Sequence, residues 1–330
     1  MPRLRFRGQE LGLGPGQTVL DALLEAGHDI PYSCKNGICQ TCLMQVRDGP
    51  VPADAQAEIR EGLARTGHFL ACVCRPEADL EVALPDDADI YGRATVTALM
   101  ELAPNIKGLR LRPATPLYYR AGQFLNLRRD DGLVRSYSLA SVPRLDQELE
   151  FHVKRLPRGL MSNWIFDRLG VGDHLDIEGP NGSCFYSPGR AEAPLLLIGN
   201  GSGLAPLLGI ARDALVSGHG GAIHLYHGSR TTAGHYCVEL LAELAATHGN
   251  FHYDRCVSGP DVAPGSRAGR AEAVAFADHP DLAGWRVYLC GYPPMVNAAR
   301  KRAYLAGAAL TDIHADPFEL RDLRTEPREQ

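Results

Sequence analysis

No stretch of this chain is both long and apolar enough to cross a bilayer. The most apolar one, Pro194–Ile198, runs straight into a glycine cluster, far short of the roughly 20 residues a spanning helix needs. The basic opening, with Arg3, Arg5 and Arg7, has no apolar segment of secretion-signal length behind it. Repeats and low-complexity tracts are missing, and 45% apolar with 22% charged residues carries no disorder bias. These absences argue against membrane-spanning, fibrous and disordered classes, and they predict a cytoplasmic globular protein. Its nine cysteines are then expected to be reduced or metal-bound rather than paired as disulfides. A length of 330 residues suits two or three domains. A strong net charge is also lacking: the formal value is −5, with the acidic excess inside residues 1–90. No nucleic-acid partner is expected, and the acidic face either steers docking to a basic protein or is simply solvated.

What is present is a cysteine pattern. Cys34-Lys-Asn-Gly-Ile-Cys39-Gln-Thr-Cys42 is followed, after 29 intervening residues, by Cys72. Gly37 and the small polar Asn36, Gln40 and Thr41 permit a tight path that turns backbone N–H groups inward toward sulfur. The spacing resembles that of plant-type [2Fe–2S] ferredoxins, which implies Cys34, Cys39, Cys42 and Cys72 as iron ligands. A structural zinc site would show two short Cys-x2-Cys knuckles. Cys39/Cys42 supplies one, and Cys72-Val-Cys74 has the wrong spacing for the other. Ordinary buried thiols are the other bland reading, and it suits Cys74, expected in a buried strand.

In chain order, Leu4 and Phe6 alternate with arginines as a half-buried strand over residues 3–7, and a second strand follows around 10–13. Thr18 is placed to cap a helix over 19–26. After the cysteine loop come a strand over 41–46, a helix near 55–64 and strands over 69–75 and 79–83. A polar linker, 85–89, precedes alternating strands with turn signals over 91–102, 106–112, 123–128, 134–140 and 148–154. A helix near 161–169 and a strand over 173–178 complete that region. From Pro194 buried strands (195–198, 222–226, 286–290) alternate with helices (206–217, 238–248, 294–305), the pattern of a parallel doubly wound sheet. The expected fold is therefore multidomain: a β-grasp ferredoxin-like α+β domain (1–88), an antiparallel β-barrel domain (89–190) and an α/β doubly wound domain (191–330).

Arg135-Ser136-Tyr137-Ser138 resembles the Arg-x-Tyr-Ser motif of the ferredoxin–NADP reductase superfamily. The resemblance implies an FAD site: Arg135 on the diphosphate, Tyr137 stacked on the isoalloxazine and Ser138 at the flavin N5. Strand alternation puts Arg135 and Tyr137 on one face and Ser138 on the other. Gly159 and Ser162 lie where the superfamily binds the flavin diphosphate at a helix N-terminus. Pro157-Arg158 stands where a second glycine is common. The segment Arg120–Phe124 resembles the family's barrel signature.

The full Gly-x-Gly-x-x-Gly spacing is absent. Gly201, Gly203 and Pro206 instead resemble the superfamily's Gly-x-Gly-x-x-Pro loop, in a strand–turn–helix context that suits a pyrophosphate. Cys290-Gly-Tyr-Pro293-Pro-Met295 resembles its Cys-Gly-x-Pro-x-Met motif, which implies Cys290 near the nicotinamide C4 and flavin N5. The segment Ile313–Phe318 resembles the C-terminal segment of oxygenase reductases and implies Phe318 against the flavin. No Asp or Glu stands beside Tyr226–Arg230 to grip a ribose hydroxyl, and Ser229 with Arg230 would suit a 2′-phosphate. Reductases of this domain order mostly use NADH, so the expectation leans to NADH.

Taken together, the order resembles the NAD(P)H reductase components of bacterial aromatic-ring and multicomponent oxygenases. It implies hydride transfer from NAD(P)H to FAD and release of single electrons through the cluster to a protein acceptor, an oxygenase or its ferredoxin. None of the twelve histidines needs a catalytic role. The same module order also fits a reductase for a deoxysugar dehydratase or a lipid desaturase, a redox-sensing regulator, or a flavin reductase releasing free flavin.

Overall fold

The computed structural model describes residues 2–86 and 90–318. The end of the expected linker, 87–89, and the last twelve residues lie outside them. Three sheets carry the architecture. The first is built from β1 (Arg3–Phe6), β2 (Gln9–Gly12), β3 (Leu43–Asp48), β4 (His68–Leu70) and β5 (Leu80–Ala83), in the order β2-β1-β5-β3-β4. Its one parallel pair is β1 with β5. Helix α1 (Val19–Glu25) crosses the sheet because Val19, Leu20, Ala22 and Leu23 fall on one buried stripe. Its start is fixed by Thr18, whose Oγ1 accepts from the Asp21 N–H at 3.1 Å.

Two local expectations fail here. No continuous helix spans 55–64; a single 3-10 turn (Ala53–Ala55) and the short α2 (Glu61–Arg65) flank an irregular stretch. The Gln56 side chain holds it instead, donating Nε2 to the Ala64 and His68 carbonyls at 3.2 and 2.7 Å. The strand expected over 69–75 stops at Leu70. The N–H groups of Val73 and Cys74 both fold back on the Leu70 carbonyl. Cys72 therefore sits on a turn beside the cysteine loop, and Cys74 is buried as expected but outside any strand.

The second sheet is antiparallel: β6 (Gly92–Ala103), β7 (Ile106–Pro113), β8 (Phe124–Arg128), β9 (Val134–Ser138), β10 (Leu149–Lys154) and β11 (His174–Asn181), in the order β10-β7-β6-β11-β8-β9. Its two open edges meet at a bridge between Leu139 and Phe151, which closes the sheet into a barrel. Helix α3 (Leu160–Asp167) packs on it through Met161 and Ile165.

The third sheet is parallel. It contains β12 (Leu195–Asn200), β13 (Ile223–Ser229), β14 (Phe251–Val257), β15 (Arg267–Ala268), β16 (Arg286–Gly291) and β17 (Ile313–Pro317), in the order β15-β14-β13-β12-β16-β17. Helices α4 (Leu204–Val216), α5 (Val238–Thr247), α6 (Ala271–Asp278) and α7 (Pro293–Leu305) flank it. Leu195–Ile198 are wholly buried, each worth roughly 1.5–3 kcal/mol of burial. The chain runs outward from β12 in one direction and returns through β16 in the other, so the strand order reverses between them. That reversal is the topological switch point, where open α/β sheets bind ligands at the carboxyl ends of their strands.

Candidate functional site: a cavity from the cysteine loop to the switch point

All four pattern cysteines are buried. Among the described residues no three His, Cys, Asp or Glu side chains converge as ligands of a single metal ion. The thiols pair two and two, Cys34 with Cys39 and Cys42 with Cys72. Zinc would draw four ligands to one centre, whereas two pairs suit two iron ions. The loop also turns N–H groups onto sulfur. Asn36 and Cys39 donate to Cys34 Sγ, and Cys34 to Cys39 Sγ, each at 3.3 Å; the Thr41 hydroxyl adds a fourth bond at 3.3 Å. The bond from the Cys39 thiol, helped by backbone N–H groups, pulls the Cys34 thiol down to about 5 against burial. Cys72 is lowered likewise by Cys42 and the Gly37 N–H. Cys34 is thereby favoured as the thiolate, the form that binds metal, and Cys72 is moved in the same direction. Lys35 and Gln40 reach this geometry in the left-handed region, at φ 56° and 57°.

The loop opens on a cavity of about 1500 Å3. Its lining includes Cys34 and Cys39 of the loop, Arg135, Tyr137 and Ser138 of β9, Gly159 and Ser162 at the start of α3, and Gly201, Ser229, Arg230 and Phe318 of the third sheet and its connections. Ser138 shares this cavity with Arg135 and Tyr137, despite strand alternation. Ser138 is the last residue of β9, and all four residues Arg135–Ser138 line the cavity. Cys42, Cys72, Gly203, Pro206 and Cys290 do not line the cavity. Gly203 acts from behind the wall: a Cβ there would press on the Cys290 carbonyl group and lie 2.9 Å from Gly291 Cα. Pro206 stands in the first turn of α4, where its missing N–H costs nothing. Gly159 precedes α3 at a point where a Cβ would strike Ser162 Oγ and Leu156. The Ser162 hydroxyl in turn accepts from the Leu156 N–H at 3.2 Å, holding the turn.

Several site residues were not singled out from sequence. Asp316 pairs in register with Cys290, lines the cavity, and accepts from Ser138 Oγ at 2.7 Å. Burial pushes its carboxyl up to about 6, with the Ser138 bond opposing. Its signal was an acidic residue in the short closing strand Ile313-His-Ala-Asp-Pro317. Cys290 is fully buried with its sulfur 3.7 Å from that of Cys184, and burial raises its thiol well above the usual range. Lys154, at the end of β10, has its ammonium 3.3 Å from where a Cβ of Gly201 would stand. No described carboxylate pairs with it, and burial lowers its pKa. Glu272, in the first turn of α6, lines the cavity with Ser229 and Arg230. His227, wholly buried, is pushed down to about 3 by burial. Being neutral, it can place Nε2–H on the Gly201 carbonyl, 3.2 Å away, and so brace the glycine turn.

These features meet the demands of three groups. Paired thiolates under inward N–H donors suit an iron–sulfur cluster. A long cavity beside a helix N-terminus suits a flavin dinucleotide. A glycine turn at the switch point, with an unpaired ammonium beside it, suits a nicotinamide dinucleotide.

Comparison with known proteins agrees. Residues 6–77 match the 2Fe-2S iron-sulfur cluster binding domain, 93–186 the oxidoreductase FAD-binding domain and 197–301 the oxidoreductase NAD-binding domain. A reductase component of the naphthalene 1,2-dioxygenase/salicylate 5-hydroxylase systems from Ralstonia sp. is 36% identical over 309 residues, 92% of this chain and 94% of that one. The chain belongs to the iron–sulfur flavoprotein reductases of oxygenase systems. The reductase subunit of an aromatic O-demethylase from Amycolatopsis is 38% identical over 328 residues, covering 94% of this reductase and 96% of its own length. The crystal structure of a cytochrome P450 reductase from Amycolatopsis superposes with a TM-score of 0.70 at 35% identity, covering 96% of this reductase and 99% of that chain. This reductase is an NAD(P)H-dependent oxidoreductase with [2Fe–2S], FAD and NAD(P) domains.

Proposed function

We propose that this reductase supplies electrons to a partner oxygenase or hydroxylase, directly or through that system's ferredoxin. When bound, FAD converts a two-electron hydride delivery into single-electron release, and the cluster handles those electrons one at a time. The chain's own residues bind, orient and shield. Cys34, Cys39, Cys42 and Cys72 hold the iron. Arg135 would neutralise the flavin diphosphate, with Gly159 and Ser162 at the start of α3, and Tyr137 and Phe318 would supply aromatic contact to the ring. Gly201, Gly203 and Pro206 shape the loop for the nicotinamide dinucleotide, and Lys154 adds a positive charge. Ser138, held by Asp316, would face the flavin from the cavity wall, and Cys290, behind that wall in register with Asp316, would support the nicotinamide side. We assign residues 1–88, 89–190 and 191–330 to the three domains.

The observation that carries this reading is the continuity of one cavity from Cys34 and Cys39 to Gly201 and Ser229. It places the switch point and the cysteine loop on the walls of one space, so electrons could enter at the first and leave at the second. We take NADH as the preferred donor: Glu272 lines the same cavity as Ser229 and Arg230, where a carboxylate would accept from a ribose hydroxyl and repel a 2′-phosphate. No helix among the described residues is long and apolar enough to span a membrane, and a cytoplasmic site of action fits that.

The test is spectroscopic. Purified protein should show combined flavin and iron–sulfur absorbance that NADH bleaches, more readily than NADPH, and should drive turnover by an aromatic-hydroxylating or demethylating oxygenase. Colourless protein that contains zinc would sink the proposal. Turnover of free flavin with loss of FAD on gel filtration would favour a flavin-releasing reductase instead.

A further inference from the structure

Running behind the cavity wall, one buried polar network joins the cysteine loop to the flavin strand. At its centre is Asn126 on β8, only 1% exposed. Its Nδ2 donates to the Cys39 carbonyl at 2.9 Å, 87 residues away in sequence, and to Glu178 Oε2 at 2.7 Å. Its Oδ1 accepts from the Ser136 hydroxyl at 2.6 Å. Ser136 stands opposite Asn126 in the β8–β9 register and lies between Arg135 and Tyr137. Three hydrogen-bonded groups therefore lead from a cysteine of the loop to the strand that carries the flavin motif.

Glu178 sets the orientation of that amide. It faces Asn126 in the β11–β8 register and is 3% exposed. A carboxylate so buried is costly unless several donors satisfy it. Oε2 accepts from Asn126 and from Asn181 Nδ2 (2.9 Å), and Oε1 from Arg60 Nη2 (3.1 Å). With two carboxylate oxygens and no donor of its own, Glu178 leaves the Asn126 amide only one orientation, nitrogen toward Glu178 and Cys39, oxygen toward Ser136. Arg60 comes from the cysteine-loop domain and also donates to the Gly179 carbonyl at 3.3 Å. The two domains are thus linked on both sides of Glu178, by an arginine from one and an asparagine that grips the other's loop.

We propose that Asn126, clamped by Glu178 and Arg60, is a positioning residue that fixes the approach of the cysteine loop to the flavin strand and so governs how fast electrons reach the cluster. This rests on the electron route proposed above. Asn126 touches no reacting atom. It holds the backbone of a ligand-bearing residue, as outer-shell partners of metal ligands do, and loss of such partners typically costs 10–100-fold.

The experiment follows anaerobic reduction of the holoenzyme by NADH in stopped flow, resolving flavin bleaching from cluster bleaching, with iron and FAD content measured beforehand. Asn126→Ala is expected to slow the cluster phase about tenfold, with the flavin phase within twofold of wild type and cofactor contents unchanged. Arg60→Ala should slow it less, and Arg60→Lys should restore most of the rate. Hydrogen exchange of the amides of residues 35–41 should quicken in Asn126→Ala and Arg60→Ala, which a purely structural role elsewhere would not produce. Cluster phases within twofold of wild type in both alanine variants would overturn the proposal. So would an equal fall in the flavin phase, or slowing without faster loop exchange. Should Asn126→Ala not fold, the Arg60 pair of variants decides. Wild-type flavin that bleaches while no cluster signal exists would instead overturn the electron route itself.

Discussion

Replacing Asp316 with asparagine should stabilise the protein at neutral pH while removing a titration from its active site. The Asp316 carboxyl accepts from the Ser138 hydroxyl, and burial raises its pKa from 3.8 to about 6. In the unfolded chain the same group loses its proton near 3.8. Between those values the native state binds more protons than the unfolded state, so stability falls as pH rises through the window, and above about pH 6 the full penalty is constant. At 1.36 kcal/mol per pH unit the penalty is about 3 kcal/mol. Asparagine keeps the shape, still accepts from Ser138 and does not titrate. Asp316→Asn should therefore exceed wild type by up to about 3 kcal/mol at pH 8, the gap closing toward pH 4. Urea unfolding at pH 4.5, 6 and 8 measures it. NADH-dependent flavin reduction should also lose an inflection near pH 6 that wild type shows. A gap independent of pH, or a variant weaker than wild type at pH 8, would refute the reasoning.

Other consequences are as direct. Gly203→Ala forces a methyl group against the Cys290 carbonyl and Gly291, so it should destabilise by about 1–3 kcal/mol and weaken NADH binding, read by calorimetry. Lys154→Ala removes an ammonium from the glycine turn and should raise the KM for NADH about tenfold or more, with FAD content unchanged. Thr18→Ala deletes the cap of α1 and should cost about 1 kcal/mol in thermal or urea unfolding. Glu58→Lys reverses a charge on a residue whose carbonyl accepts from Gln40 of the cysteine loop at 2.8 Å. It should slow reduction of a basic acceptor at low salt while flavin reduction by NADH is unchanged.

Much of this arrangement was legible because local chemistry dictates it. Four cysteines at fixed spacing, a Gly-rich turn after an apolar strand, and Arg135–Ser138 each announce a demand that few other structures make. Residues 251–257 were not recognised as a strand, since Phe251-His-Tyr-Asp-Arg-Cys-Val mixes polar side chains; β14 has only the two-residue β15 on its outer side and tolerates them. In place of one helix over 55–64 there are two short turns, tied by the Gln56 side chain to the Ala64 and His68 carbonyls, a long-reach bond that the local pattern does not announce. Asn126 and Glu178 were invisible for a different reason. They lie 52 residues apart, and only the antiparallel register sets them face to face.

The Ser138–Asp316 bond has a meaning for modular engineering. Its serine belongs to the barrel, while its carboxyl sits on the last strand of the nucleotide-binding sheet, in the same closing strand whose end ties Phe318 N–H to the Gly291 carbonyl at 2.7 Å. On the flavin assignment proposed above, the pocket would be completed by a piece of polypeptide that arrives only after the whole nucleotide module has been traversed. A chimera that grafts another reductase's nucleotide module onto this barrel imports that wall with it. Changing donor preference by domain exchange would therefore also retune the flavin, unless the graft ends before Ile313 and the native closing strand is kept.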